Sequence, residues 1–185
     1  MNTVEYAQEI IKELQSSVSQ LGEADTEQMA ELLLRSDKVF VAGAGRSGLM
    51  GRAFAMRLMQ AGKDAYVVGE TVTPGIAAED VLVLGTGSGE TQGLVSMAEK
   101  AKSLGAAVVA VTLTPESTIG QLADYTVKLP GAPKDQTGGS SITIQPMASL
   151  FEQTLLVFYD AVILRMMEKT GQTTQRMFGK HANLE

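Results

Sequence analysis

The chain has no cysteine and a single histidine. Without thiols it has neither disulfides nor a thiolate nucleophile. One histidine also argues against structural zinc, which needs several nitrogen or sulfur ligands. Basic residues are outnumbered, 15 Lys and Arg against 21 Asp and Glu, for a net charge of −6. That balance argues against nucleic acid as a partner, which ordinarily requires a basic face. An anionic small molecule stays open, because helix N-termini and nests of backbone N–H groups bind phosphate whatever the global charge. No apolar run approaches the roughly 20 residues of a membrane span; the longest, near 155–164, is broken by Asp160. The first residues, MNTVEYAQEI, lack the basic-then-apolar layout of a signal peptide. Repeats and low-complexity tracts are absent too. These absences lead us to expect a cytoplasmic protein with no membrane and no nucleic-acid partner.

What is present is ordinary for a globular chain: 185 residues, 44% of them apolar, enough for one domain with a real core. Apolar residues recur at helical spacing from Val4 to Leu21, and a second short helix is expected over Glu27 to Leu34. The texture then changes. KVFVAG (38–43), AYVVG (65–69), DVLVLG (80–85), AAVVAVT (106–112) and YTVKL (125–129) read as five strands. Helical stretches over 48–60 and 94–104 lie among them. Apolar strands without polar alternation, separated by helices, predict a parallel sheet covered on both faces. The expected fold is α/β: a single-domain three-layer sandwich whose five-stranded parallel sheet has the flavodoxin-like order 2-1-3-4-5. Residues 130–147 read as a long loop, and about Met147 to Thr170 as a last helix, apolar almost all round. Such a helix is buried in its own fold or against another subunit.

Two glycine-rich turns carry the chemistry. GAGRSG (43–48) follows the first strand and GTGSGET (85–91) the third. In the order 2-1-3-4-5 these strands are neighbours and their helices leave on opposite faces. The crevice between their carboxyl ends is therefore the topological switch point, where open α/β sheets bind ligands. The turns would bring Ser47 together with Thr86, Ser88 and Thr91, around Gly43, Gly45, Gly87 and Gly89, whose backbones approach an anion closely. Arg46 would add a charge-assisted contact. The plainer reading is that Ser47 and Ser88 cap their helices; two such turns at a switch point favour a phosphate monoester. The spacing G-x-G-x-x-G also permits NAD, with Glu70 placed for a ribose roughly 20 residues on. A lone G-x-G-x-x-G is weak, however, and GTGSGET has no clear job in a dinucleotide site.

GAGRSG followed by GTGSGET resembles the sugar isomerase (SIS) domain family. Within it, GRSGLMGRAFAMRLMQ, VVGETVTP, TGSGET, SLFEQ and the terminal HANLE are similar to the 6-phospho-3-hexuloisomerases, over nearly the whole chain. The resemblance implies one SIS domain over 1–185: helices to residue 35, the sheet core with its phosphate loops over 36–130, and loop, helix and tail over 131–185. It implies phosphate or substrate contacts from Gly45, Arg46, Ser47, Thr86, Gly87, Ser88, Gly89 and Thr91, with Glu152 as catalytic base and His181 as its partner. The implied reaction interconverts D-arabino-3-hexulose 6-phosphate and D-fructose 6-phosphate through a 2,3-enediol, needing no cofactor and no metal. It also implies a homotetramer, and a place in the ribulose monophosphate route beside 3-hexulose-6-phosphate synthase. By position alone Glu152 reads first as an acid stabilised in a helix's first turn, and His181 as a solvated tail residue. Another phosphosugar aldose–ketose isomerase, or a non-catalytic phosphosugar-sensing module, would keep the same loops.

Overall fold

A computed structural model describes residues 1–134 and 143–184. Two leading helices and a run of strands alternating with helices form one sheet covered on both sides. The helices α1 (Thr3–Val18) and α2 (Glu23–Arg35) precede a regular alternation: β1 (Lys38–Gly43), α3 (Gly45–Gln60), β2 (Asp64–Val67), β3 (Val81–Thr86), α4 (Gln92–Ser103), β4 (Ala107–Thr112), α5 (Thr118–Leu122) and β5 (Tyr125–Lys128). The chain ends with α6 (Ser149–Thr170) and α7 (Thr174–Phe178). All four strand pairings are parallel and the order is β2-β1-β3-β4-β5, as the sequence predicts.

Side-chain alternation along the strands sorts the core into two layers. Val39, Val41, Val83, Val109 and Val111 face α2, α3 and α6, where Met29, Leu33, Phe54, Leu58, Phe151 and Phe158 are buried. Phe40, Ala42, Leu82, Leu84, Val108 and Ala110 face the other way, onto Leu94, Val95, Ala98 and Ile119 of α4 and α5. So α3 and α4 do leave on opposite faces. The buried carboxylate of Asp80 ties together the amino ends of β1 and β3, accepting from the backbone N–H groups of Lys38 (3.0 Å) and Ala77 (2.8 Å).

The expected long helix after residue 147 is present and positions the site. It is held to α2 by Arg165, which donates to Glu27 at 2.7 Å. Hydrogen bonds from Arg165 and Lys169 hold the Glu27 carboxyl down at about 2. In the single chain α6 is not covered all round: Val157 and Leu164 are exposed. Tyr159 on its inner side is wholly buried, stacked on Phe54 at 4.1 Å, and among the described residues its hydroxyl has no hydrogen-bond partner. Leaving a buried hydroxyl unpaired costs about 1–3 kcal/mol. Tyr159→Phe keeps the ring stack and removes that cost, so its urea midpoint is expected to rise, by about 1 kcal/mol of stability at unchanged slope. A marked loss of stability would show that the hydroxyl has a partner.

Candidate functional site

The two glycine turns start level with each other, because Gly43 and Gly85 are paired across β1 and β3. Each turn carries one glycine in the left-handed region, Gly45 (φ 57°) and Gly89 (φ 67°), where a side chain would be strained. The first turn is also tightly folded on itself. A Cβ on Gly48 would lie 2.5 Å from the Gly43 carbonyl oxygen.

Beyond the carboxyl ends of the strands lies a cavity of about 570 Å³. Its walls include Ser47 from α3 and Thr86, Gly87, Ser88 and Thr91 from the second turn. The four hydroxyl-bearing residues therefore converge as the order 2-1-3-4-5 requires. Helix capping does not account for them. The N-cap of α3 is Ala44 and that of α4 is Thr91, and neither makes a side-chain cap bond. Among the described residues, the Ser88 hydroxyl accepts a long local bond from the Glu90 N–H at 3.3 Å. Thr86 works inside its turn, accepting from the Gly89 N–H at 3.2 Å. The turn is clamped from outside as well: Glu90 accepts from both the N–H and the hydroxyl of Thr118, each at 2.8 Å. Those two bonds hold the Glu90 carboxyl below its ordinary range against a smaller upward push from burial.

The remaining wall was legible only in part: residues 130–147 read as a long loop of the kind that often binds ligand, but no motif marks Leu113, Thr114 or Lys128. Leu113 and Thr114 follow β4, Lys128 ends β5, and Pro130, Gly131, Pro133 and Lys134 continue from it. The rule that ligands sit at carboxyl ends of strands applies to β4 and β5 as much as to β1 and β3, and would have found Leu113 and Lys128. Two lysines here give a chain of net charge −6 local positive potential beside the hydroxyls. Part of the 130–147 loop, residues 135–142, lies outside the described residues.

Ala148 and Phe151 bring α6 to the cavity. Glu152 is one helical turn beyond Ala148 on the same side of α6 but is not itself on the cavity wall. It is buried, with 6% of its surface exposed, in the first turn of α6. Burying a carboxylate is costly unless it is paired. The partner is Arg46, whose Nη1 lies 2.9 Å from Glu152 Oε2. The N–H direction is poor, so that oxygen accepts no hydrogen bond and the contact is coulombic. The same Nη1 donates properly to the Ser149 hydroxyl at 2.8 Å. Arg46 thus leans from the first turn of α3 onto the first turn of α6, rather than onto the cavity. Gly45 and Gly89 likewise shape the turns without lining it.

Glu70 is exposed, away from the cavity, and pairs with Arg52 of α3. His181 is not near Glu152 in the chain. It lies in a separate depression with Arg57, Gln60, Asp160, Ile163 and Phe178, its ring beside that of Phe178 and Nδ1 2.8 Å from the Ala182 carbonyl. Ile163 is roughly 16 Å further along α6 than Glu152, at 1.5 Å of rise per residue. Among the described residues no helix is long and apolar enough to cross a membrane.

The family model for the SIS domain matches residues 32–163 of the chain. The 3-hexulose-6-phosphate isomerase of Bacillus subtilis is 54% identical over 185 residues, covering 100% of both chains. The 3-hexulose-6-phosphate isomerase of Mycobacterium gastri is 45% identical over 164 residues, covering 87% of this chain and 82% of the relative. Among solved structures, a hypothetical protein of Methanococcus jannaschii superposes with a TM-score of 0.82 at 30% identity, each chain covered in full. Its crystal structure has been taken to infer a molecular function of 3-hexulose-6-phosphate isomerase.

Proposed function

The chain belongs to the SIS-domain family, and from that premise we propose that it is a ketose–ketose sugar-phosphate isomerase, interconverting D-arabino-3-hexulose 6-phosphate and D-fructose 6-phosphate. The observation that carries this reading is the convergence of Ser47, Thr86, Ser88 and Thr91 on one cavity that the first turn of α6 also borders. The relatives' names supply 3-hexulose 6-phosphate; fructose 6-phosphate is the isomer that moving its carbonyl to C2 would give.

In this reading the phosphate sits between the two turns, taking donors from the hydroxyls and from the backbone N–H groups at the starts of α3 and α4. Lys128 and Lys134 add charge around the sugar. The Glu152 carboxylate, buried one helical turn behind the wall residue Ala148 and paired with Arg46, would turn toward the cavity to remove the proton at C2. The electron pair of that C–H bond forms the C2–C3 double bond, and the C3 carbonyl oxygen takes the charge and then a proton. The resulting 2,3-enediol collapses the other way: O2 gives up its proton, C2 becomes the carbonyl, and C3 receives the proton from Glu152. The carbonyl moves and no net electrons leave, so the balance needs no redox partner. Arg46 keeps the buried Glu152 paired while it is ionised.

His181 would assist proton transfer at the sugar oxygens, which imidazole suits. Because one chain holds it far from Glu152, its role in this proposal is at a neighbouring subunit's site. A homotetramer is part of the same proposal. Val4 and Ile11 on α1, Leu49 and Met56 on α3 and Leu164 on α6 are exposed apolar residues that such an assembly would cover. In the ribulose monophosphate route the substrate would come from 3-hexulose-6-phosphate synthase.

Conversion tests the reading. Fructose 6-phosphate labelled with ¹³C at C2, incubated with the protein, should yield a hexulose phosphate whose carbonyl is no longer the labelled carbon. Tight binding without any product would leave a phosphosugar-sensing module. Two variants follow. Ser88→Ala should raise KM by roughly tenfold or more with kcat nearly unchanged, since a hydrogen bond to a charged group contributes about 1.5–3 kcal/mol; an unchanged KM counts against the phosphate site. His181→Ala should lower kcat by roughly 10²-fold, the low end for acid–base assistance, with substrate binding retained. A wild-type rate would return the tail to solvent.

A further inference from the structure

Helix α1 has little reason to be where it is. Val4, Tyr6 and Ile11 are exposed, and it packs mainly along α6. Among the described residues, its polar attachment to the body is Glu13. That carboxylate accepts from the hydroxyl of Thr143 at 2.5 Å, the backbone N–H of Ile144 at 2.7 Å and the side-chain amide of Gln145 at 2.8 Å. Three donors from three consecutive residues thus converge on one carboxylate, and Thr143 and Gln145 are buried although they belong to no helix or strand.

What those residues lead into matters. Gln145 is followed by Pro146, whose carbonyl accepts from the Ser149 N–H at 3.2 Å, and by Met147, which has a positive φ of 58°. Ala148 then borders the cavity, Ser149 receives Arg46, and Glu152 follows within the same helical turn. The path from the latch to the carboxylate is seven residues of turn and helix with no free coil. Where the latch sits, the first turn of α6 sits.

We infer that Glu13 is a positioning residue for the reaction: by fixing Thr143–Gln145 it sets the first turn of α6, and with it Glu152, against the two phosphate turns. The phosphate turns themselves hang from β1 and β3 and from the Glu90 clamp, and owe nothing to α1. The two halves of the site are therefore separable, which a general loss of stability would not be. Burial pushes the Glu13 carboxyl upward, but the hydrogen bonds from Thr143, Gln145 and Ile144 outweigh it and hold it below the ordinary range, as expected for an ionised acceptor.

This rests on the proposed isomerase reading, and the test separates the two. The full-length wild type, Glu13→Ala, Glu13→Gln and Lys12→Ala are assayed for kcat and KM with fructose 6-phosphate, alongside Tm. Lys12 is one residue away on the same helix and, among the described residues, pairs with Glu9. Misplacing a catalytic group by about 1 Å can cost roughly 10²-fold, so Glu13→Ala should lose roughly 10- to 100-fold in kcat with KM within about twofold. Glu13→Gln, which retains one acceptor oxygen, should fall between it and wild type; Lys12→Ala should match wild type. Should Glu13→Ala fail to fold, Glu13→Gln reads the same split. An active wild type with unchanged kcat in Glu13→Ala, or with kcat and KM lost together in step with Tm, overturns the role of Glu13 alone. A wild type that turns over no fructose 6-phosphate overturns the isomerase reading beneath it.

Discussion

Glu152→Gln is expected to lower kcat by roughly 10²- to 10⁴-fold, the usual contribution of a positioned general base, while phosphosugar binding stays within a few-fold of wild type. The amide matches the carboxylate in shape, so the first turn of α6 keeps its packing. It cannot take the C2 proton. Arg46 loses a charged partner but keeps its bond to Ser149 at 2.8 Å, which holds the guanidinium in place. Binding survives because Ser47, Thr86, Ser88 and Thr91 line the cavity independently of Glu152. Calorimetric titration of fructose 6-phosphate beside steady-state rates separates the two quantities. Unchanged turnover would remove Glu152 from the mechanism. Lost binding with lost turnover would make it a structural ion pair.

Gly48→Ala should damage the other half of the site. Its Cβ would sit 2.5 Å from the Gly43 carbonyl oxygen and 3.0 Å from that carbonyl carbon. Both are backbone atoms at the end of β1, which is paired on each side by β2 and β3 and cannot yield cheaply. The start of α3 must lift instead, carrying Ser47 away from Thr86 and Ser88. Overpacking of this kind costs about 1–3 kcal/mol of stability. Losing one phosphate contact of charged type adds at least about tenfold to KM, since each 1.4 kcal/mol is a factor of ten. The variant should therefore be less stable and bind phosphosugar at least about tenfold more weakly. Wild-type KM would mean that the first turn does not hold the phosphate.

These two positions also mark what the sequence made legible. The five parallel strands were legible as apolar runs alternating with helices; their order 2-1-3-4-5 rests on its being the commonest one for such a sheet, and the meeting of the two glycine turns follows from it. Helix boundaries were less legible. The helix after the first turn begins at Gly45, not at 48, since glycines and serine hide its first turn; α2 begins at Glu23 rather than 27, because EADTEQ offers no apolar periodicity. The five-residue helices α5 and α7 are too short to show a period. Within the site, hydroxyl convergence was readable and side-chain direction was not. Arg46 lies between two possible anions, a phosphate and Glu152, and only the packing of α3 against α6 shows which one it faces. The latch at Glu13 joins residues more than 100 positions apart, and so does the depression that His181 shares with Arg57 and Gln60; no local pattern encodes either.

The central claim is a proton shuttled between C2 and C3 of a hexulose phosphate. The most direct test is NMR of fructose 6-phosphate incubated with the protein in D₂O. The account predicts deuterium at C3 together with new signals of a 3-hexulose phosphate. Deuterium at C1 with an aldose phosphate product would contradict it and make the enzyme an aldose–ketose isomerase. No exchange and no new sugar would contradict it as well, because even a fully shielded proton transfer must leave product.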